Sequence, residues 1–137
     1  MAAIRFTACQ KSVMNKQRPI HLALHLIKLP LPGIVSILHR ISGLMLFFAL
    51  PLLLLMLQYS LASIETYTQL MAVLANPLLK LMLLGLLWAF MHHFCAGLRF
   101  LAIDMHYVRN LVQARNSSKV VIVVSLMLTV LIGIKLW

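Results

Sequence analysis

Three long stretches of this 137-residue chain are almost wholly apolar, and the polar residues gather between them. The stretches cover residues 34–58, 77–104 and 119–137. Each is close to the roughly 20 residues that a helix needs to cross the hydrocarbon core of a bilayer. The run Val120–Val124 is typical of a strand in a soluble protein. In lipid, however, a segment must satisfy its own backbone polar groups, which favours a helix. The pattern therefore predicts an all-α membrane protein with three transmembrane helices.

The composition supports a membrane protein and excludes other classes. Hydrophobic residues make up 63% of the chain, charged residues make up 10%, and the mean hydropathy is +1.00. An ordinary soluble domain is about 45–50% apolar and about 25% charged. These values exclude a soluble globular enzyme and a disordered tail. The two cysteines, Cys9 and Cys95, make neither a disulfide framework nor a metal-binding pair.

The distribution of charge predicts an orientation in the membrane. The net charge is +10, from twelve Lys or Arg against Glu65 and Asp104. A nucleic-acid partner is not expected, because it requires a soluble basic surface. Residues 1–33 carry five of the basic residues, residues 59–76 carry none, and residues 105–118 carry two. The positive-inside rule then places residues 1–33 and 105–118 in the cytoplasm and the loop 59–76 in the periplasm.

The N-terminal residues favour a bacterial membrane. The first thirty residues are polar and contain no long apolar core, so a cleaved signal peptide is not expected. They also lack acids, as a mitochondrial transit peptide does, but only about fifteen of them precede the part that reads as mature protein. We therefore expect the bacterial inner membrane in preference to the mitochondrial inner membrane.

Polar side chains inside the apolar stretches are costly in a membrane and mark candidate sites. Ser36 and Arg40 are four residues apart and share one helix face, with His39 beside them. A hydroxyl, an imidazole and a guanidinium at the headgroup boundary can hydrogen-bond a quinone carbonyl or a carboxylate. The alternative is that Arg40 is a positive-inside anchor and His39 an interfacial residue.

The second stretch carries two adjacent histidines, His92 and His93. His93 shares a row of i+4 positions with Gly85, Ala89 and Gly97, and small residues on such a row leave room for another helix or for a flat macrocycle. His93 therefore suits an axial haem ligand, the alternative being a hydrogen-bonded packing residue. His92 points about a hundred degrees away on the helix and is the weaker candidate.

Two other pairs of residues are candidates for charged or metal chemistry. Arg99 and Asp104 can pair with each other or with a partner, and Arg99 can reach a haem propionate. His21 and His25 are four residues apart, but two histidines without a carboxylate or thiol make a poor zinc site. The chain has no nucleophile–base pair, no paired carboxylates and no glycine-rich phosphate loop, so no hydrolytic activity is predicted.

Three motifs together resemble the cytochrome b subunit of succinate dehydrogenase, the larger membrane anchor of respiratory complex II. The motifs are Gln17-Arg18-Pro19, Ser36-Ile-Leu-His39-Arg40-Ile-Ser-Gly43 and His93-x3-Gly97-x-Arg99-x4-Asp104. The resemblance covers nearly the whole chain, and the last two motifs are specific in combination. One position departs from the family, which commonly has His after the Arg of the last motif, where this chain has Phe100. The chain therefore lacks this histidine as a polar contact near the haem or the quinone.

The resemblance implies a role for each matching position. Ser36 and Arg40 line a ubiquinone site where the anchor meets the iron–sulfur subunit. His93 is one axial ligand of a b-type haem, and His39 and Arg99 lie in the vicinity of the haem propionates. The other haem ligand is a histidine of a second, smaller anchor subunit. The three helices are then half of a heterodimeric haem-binding helical bundle, with haem b as cofactor and ubiquinone as substrate.

The function so implied is that of a membrane anchor of succinate:quinone oxidoreductase. A partner flavoprotein oxidises succinate, and electrons pass through the iron–sulfur subunit to the quinone. The chain is thus part of an enzyme complex in contact with membrane lipids, without carrying the dehydrogenase chemistry itself. Two alternatives stay open: a haem-free structural membrane anchor, and a small transporter. The sequence shows neither the inverted repeats nor the mid-membrane polar site that a transporter is expected to have.

Overall fold

The structure is a computed structural model that describes residues 29–136. The motif Gln17-Arg18-Pro19 and the pair His21 and His25 lie outside the described residues. Four helices follow one another: α1 is Leu31–Ala62, α2 is Ile64–Leu74, α3 is Pro77–Asp104 and α4 is Leu111–Leu136. No strand occurs in the described part of the chain. The prediction of an all-α protein is confirmed.

Three of the helices, α1, α3 and α4, are long and apolar enough to cross a membrane. α1 continues through Pro51 without a break. Its 32 residues, at about 1.5 Å each, exceed the roughly 30 Å of a hydrocarbon core. The helix therefore extends beyond the bilayer core or crosses it at a tilt. The three helices agree with the three predicted transmembrane segments, and the chain is a multi-pass membrane protein.

The segment 59–76, predicted as a loop, is largely helical. α1 continues to Ala62, and α2 begins after a single extended residue, Ser63, with φ −162° and ψ 164°. The hydroxyl of Ser63 accepts a hydrogen bond from the backbone N–H of Thr66, and the Thr66 hydroxyl accepts one from the N–H of Ser63. This reciprocal capping satisfies two N–H groups that a helix start otherwise leaves unpaired. A short helix therefore forms where the apolar pattern predicts none.

α4 begins at Leu111, ahead of the predicted start of the third span at residue 119. The side-chain carbonyl of Gln113 accepts hydrogen bonds from the backbone N–H groups of Arg109, at 2.9 Å, and Asn110, at 3.3 Å. The carbonyl of Asn110 accepts the first intrahelical bond, from Ala114. The connection between α3 and α4 is therefore shorter than the predicted loop 105–118, because the polar start of α4 is capped.

Small and polar residues fill the interior of the helix assembly. α3 packs against both α1 and α4, and Val35, Ala96 and Val121 form the buried apolar cluster. The buried positions of α4 are Ser118, Val121, Ser125, Thr129 and Gly133. Large apolar side chains point outward, as Phe47 does with 70% of its surface exposed. Small residues at the contacts and large ones facing out are typical of helices that pack in lipid.

Candidate functional site

The imidazole of His93, on α3, lies against α1. Its Nδ1 is 3.1 Å from the backbone carbonyl oxygen of His39 and 3.3 Å from Oγ of Ser42. Ser42 itself donates a hydrogen bond of 2.9 Å to the same carbonyl. Because a carbonyl can only accept, Nδ1 is assigned the proton, and Nε2 keeps its lone pair. Nε2 makes no hydrogen bond to any residue between 29 and 136. The hydrogen bond of Nδ1 therefore orients the ring, and Nε2 is available to bind another group.

Gly43 provides the space that the His93 ring occupies. A Cβ added at Gly43 would lie 2.9 Å from Cε1 of His93 and 3.3 Å from its Nδ1. Non-bonded carbon atoms pack best at about 3.5–4.0 Å. Only a residue without a side chain lets the ring approach α1 this closely. Gly43 and Ser42, adjacent on α1, together form the seat of the His93 ring.

Two further rings extend the cluster around His93. The His39 ring stacks on it with centroids 4.2 Å apart and an angle of 9° between the planes. Phe100 then packs against His39, with centroids 5.2 Å apart and a tilt of 54°. Phe100 thus makes an apolar contact with the His39 ring.

His92 and His93 have different surroundings although they are neighbours in sequence. His92 is only 1% exposed and lies in the interior, with its ring centroid 5.5 Å from that of Trp88. The backbone carbonyl of Val35 lies near the ring, but neither His92 nitrogen makes a hydrogen bond of acceptable geometry within the described residues. His93, by contrast, is half-buried. Of the two, His93 is the one that a group outside this chain can approach.

The row of i+4 positions that contains His93 is only partly covered by this chain. Ala89 is buried, but a Cβ placed on Gly85 would meet nothing within 4 Å. A Cβ on Gly97 would make an ordinary contact of 3.7 Å with Nε2 of His39. The expected smooth face is therefore present beside His93, and its Gly85 end stays open.

Arg99 is 7% exposed and binds α4. Its Nε donates to the hydroxyl of Ser117 at 3.0 Å, and Nη2 donates to the backbone carbonyl of Ala114 at 3.3 Å. Neither bond involves Asp104, the partner that its position in the sequence suggested. Cζ of Arg99 also lies 5.5 Å from the centre of the Phe100 ring. Arg99 thus links α3 to α4 and is connected to His93 only through the Phe100 and His39 rings.

Ser36 and Arg40 lie one turn apart near the start of α1, Ser36 half-buried and Arg40 exposed. The side chains of both make no hydrogen bond with the rest of the described chain. They are therefore available to a ligand or a neighbouring protein. The structure does not bring them into contact with His93, which packs against the following turn of α1.

Among residues 29–136, no three His, Cys, Asp or Glu side chains come together as metal ligands. A metal ion held by three or four side chains of the described part alone is therefore not supported. A single oriented histidine is suited to a different kind of site, in which a macrocycle supplies four nitrogens and the protein supplies the axial positions. Three residues of the site and its supports escaped the sequence reasoning, namely Ser42, Gly43 and Ser117. The first two belong to a motif that was recognised, but their contacts are made by a distant helix.

The chain is similar to known proteins over most of its length. The family described as "Succinate dehydrogenase/Fumarate reductase transmembrane subunit" matches residues 14–132. A protein of Coxiella burnetii named succinate dehydrogenase cytochrome b556 subunit is 38% identical over 125 residues, which are 90% of this chain and 100% of that protein. Proteins of the same name from Rickettsia felis and Paracoccus denitrificans are 31% and 34% identical. These alignments cover 93% and 87% of this chain, and 99% and 92% of the respective relatives.

Proposed function

Because this chain belongs to the succinate dehydrogenase/fumarate reductase transmembrane subunit family, we propose that it is the haem- and quinone-binding anchor of a succinate:quinone oxidoreductase. Its relatives are named cytochrome b556 subunits of succinate dehydrogenase. As such an anchor, it holds the soluble part of complex II, with the flavoprotein and iron–sulfur subunits, at the membrane. The observation that carries the haem assignment is the orientation of His93.

His93 fits one axial position of a b-type haem. Metal-bound histidines typically donate their other ring N–H to a carbonyl or carboxylate, which sets the tautomer and the orientation of the ring. The bond from Nδ1 of His93 to the His39 carbonyl is of this kind and leaves Nε2 for the iron. A bound haem supplies a one-electron carrier. A smaller partner anchor would supply the second histidine ligand, and two chains would then hold the haem.

The geometry supports His39 better than Arg99 as a neighbour of the haem propionates. His39 stacks on the ligand ring and is therefore well placed at the edge of the site. For Arg99 the role rests on the resemblance alone, since both of its hydrogen bonds run to α4.

Ser36 and Arg40 are the proposed quinone-binding pair. Arg40 is exposed, and its guanidinium can donate to a quinone oxygen, as can the Ser36 hydroxyl one turn away. The residues lie near the start of α1, at the end of the helix that the distribution of basic residues assigns to the cytoplasmic side. A quinone held there is close to the surface on which an iron–sulfur subunit docks. We therefore assign the protein to the bacterial inner membrane, with its N-terminus in the cytoplasm.

The haem assignment is tested by replacing His93 with leucine in the purified complex. We expect the b-type bands of the reduced-minus-oxidised spectrum to disappear, while His92→Leu, the neighbouring control, retains them. Normal bands in the His93→Leu complex would show that another residue is the ligand. Absence of b-type bands in the wild-type complex would instead favour a haem-free structural anchor.

A further inference from the structure

A pocket lined by both charged and apolar residues lies where the start of α1 meets the first turns of α4, apart from the His93 site. Its volume is about 400 Å³, and it is lined by Pro30, Leu31, Val112, Arg115, Asn116 and Lys119. Arg115 and Lys119 are four residues apart, so both cations project from one face of α4. The pocket therefore combines two positive charges and an amide with an apolar wall.

This chain has no carboxylate with which to neutralise that pocket. Its only acids are Glu65 and Asp104. Glu65 is in the first turn of α2, beyond the far end of α1, and Asp104 is not among the lining residues. The residues that precede the described part, 1–28, contain five Lys or Arg and no acid. Whatever their arrangement, they add only positive charge, so the counter-charge comes from outside the chain.

The level of the pocket relative to the apolar segments indicates which anion it binds. Lys119 immediately precedes the apolar run that starts at Val120, and Leu31 opens α1 just before the first apolar stretch. Both walls therefore cross from polar to apolar at the same place, which is the level of lipid headgroups in a membrane-spanning chain. Arg matches the geometry of a phosphate with its two donors, and Lys adds a point charge. The apolar residues Pro30, Leu31 and Val112 suit the glycerol and upper acyl region that follows the phosphate.

We propose that this pocket binds the phosphate of an anionic phospholipid. A free phosphate ion shares the headgroup chemistry but makes no use of the apolar wall. The lipid links α4 to the start of α1 at the membrane surface and neutralises the two cations of α4. The proposal depends on the chain spanning a membrane and not on its binding of haem or quinone.

The test uses the purified complex in detergent and measures bound lipid by native mass spectrometry. The probes are phosphatidylglycerol and phosphatidylcholine with identical acyl chains, and inorganic phosphate as a competitor. A basic residue near a membrane surface contributes roughly fivefold to the binding of an anionic lipid. We expect Arg115→Gln and Lys119→Gln each to lower the preference for phosphatidylglycerol by about this factor, and the double variant by roughly 30-fold. Arg109→Gln, an exposed cation outside the pocket, is the matched control and leaves the preference nearly unchanged.

The other outcomes overturn the proposal in distinguishable ways. An equal loss in Arg109→Gln would indicate attraction to the overall charge and not a site. Displacement of the lipid by inorganic phosphate at similar concentration would indicate a free anion pocket. Unchanged lipid binding together with loss of the soluble subunits from the Arg115→Gln complex would assign the two cations to an acidic protein surface. None of these results alters the spectroscopic test of His93.

Discussion

Replacing Gly43 with alanine tests whether the close approach of α1 and α3 orients the proposed haem ligand. The new methyl group would lie 2.9 Å from Cε1 of His93. Since non-bonded carbons pack at about 3.5 Å or more, the ring and α1 must separate by at least roughly 0.6 Å. The hydrogen bond from Nδ1 to the His39 carbonyl is already 3.1 Å long. A further separation of this size takes it beyond the usual limit of about 3.2 Å.

The energetic cost is the sum of two destabilising contributions and one stabilising contribution. Overpacking a close contact costs about 1–3 kcal/mol, and the weakened hydrogen bond costs about 0.5–1.5 kcal/mol. Alanine in a helix offsets up to about 1 kcal/mol of this sum, because glycine is the poorer helix former. A net destabilisation of a few kcal/mol is expected at the seat of the ring. Loss of the partner that orients a metal-binding histidine typically lowers metal affinity by about 10–100-fold.

The assay is the haem-to-protein ratio of the purified complex, with its reduced-minus-oxidised spectrum and its thermal stability. Gly33→Ala is the matched control, because it makes the same change in α1 where the new Cβ meets only ordinary contacts of 3.8 Å or more. We expect Gly43→Ala to lose haem and Gly33→Ala to retain it. Ser42→Ala adds no atom and keeps the hydrogen bond between Nδ1 of His93 and the His39 carbonyl. This variant should therefore assemble and show a smaller spectral change than Gly43→Ala. A Gly43→Ala complex with wild-type haem content, bands and stability would refute the reasoning.

Three further variants test separate parts of the structure. His92→Leu should leave the thermal stability unchanged or raise it, because an apolar side chain replaces two buried nitrogens without good hydrogen bonds. A large drop in the unfolding temperature would mean that the imidazole has a hydrogen-bonded partner. Arg40→Leu should impair quinone reduction while succinate oxidation by an artificial acceptor stays nearly intact; if quinone reduction persists, the quinone assignment is wrong. Ser117→Ala should destabilise the protein by about 1–3 kcal/mol, measured by denaturant unfolding in detergent, because Nε of buried Arg99 loses its acceptor. Ser118→Ala is its control, since Ser118 bonds only the carbonyl of its own helix, and an equal effect would contradict the role of Ser117.

Helix boundaries show where the apolar pattern stops being informative. The pattern identified α1, α3 and α4, because the cost of exposing polar groups to lipid acts on each segment by itself. It did not predict α2, which is too short to cross the membrane, or the first turns of α4, which are polar. Their signals were local capping positions, Ser63 with Thr66 and Asn110 with Gln113. A search for capping residues would have found both.

The two histidines of α3 mark the limit of sequence reasoning about the site. Their spacing showed that they face about a hundred degrees apart, but not which of them α1 and α4 would cover. Packing decided this, with His92 in the interior and His93 at the edge of the α1 contact. The same holds for Arg99, whose guanidinium donates hydrogen bonds to Ser117 and Ala114 of another helix and not to the nearby Asp104.

The sequence by itself determined the class of the protein, its three apolar helices and His93 as the leading candidate ligand. These properties depend on composition, on segment length and on residues close together in the chain, and so can be read along it. The tertiary structure alone decided that Gly43 makes room for the His93 ring and that the His39 carbonyl orients it. It also decided that Pro30 and Leu31 share a pocket with Arg115 and Lys119. These contacts join residues 50 or more positions apart, and they exist only because the three helices pack side by side.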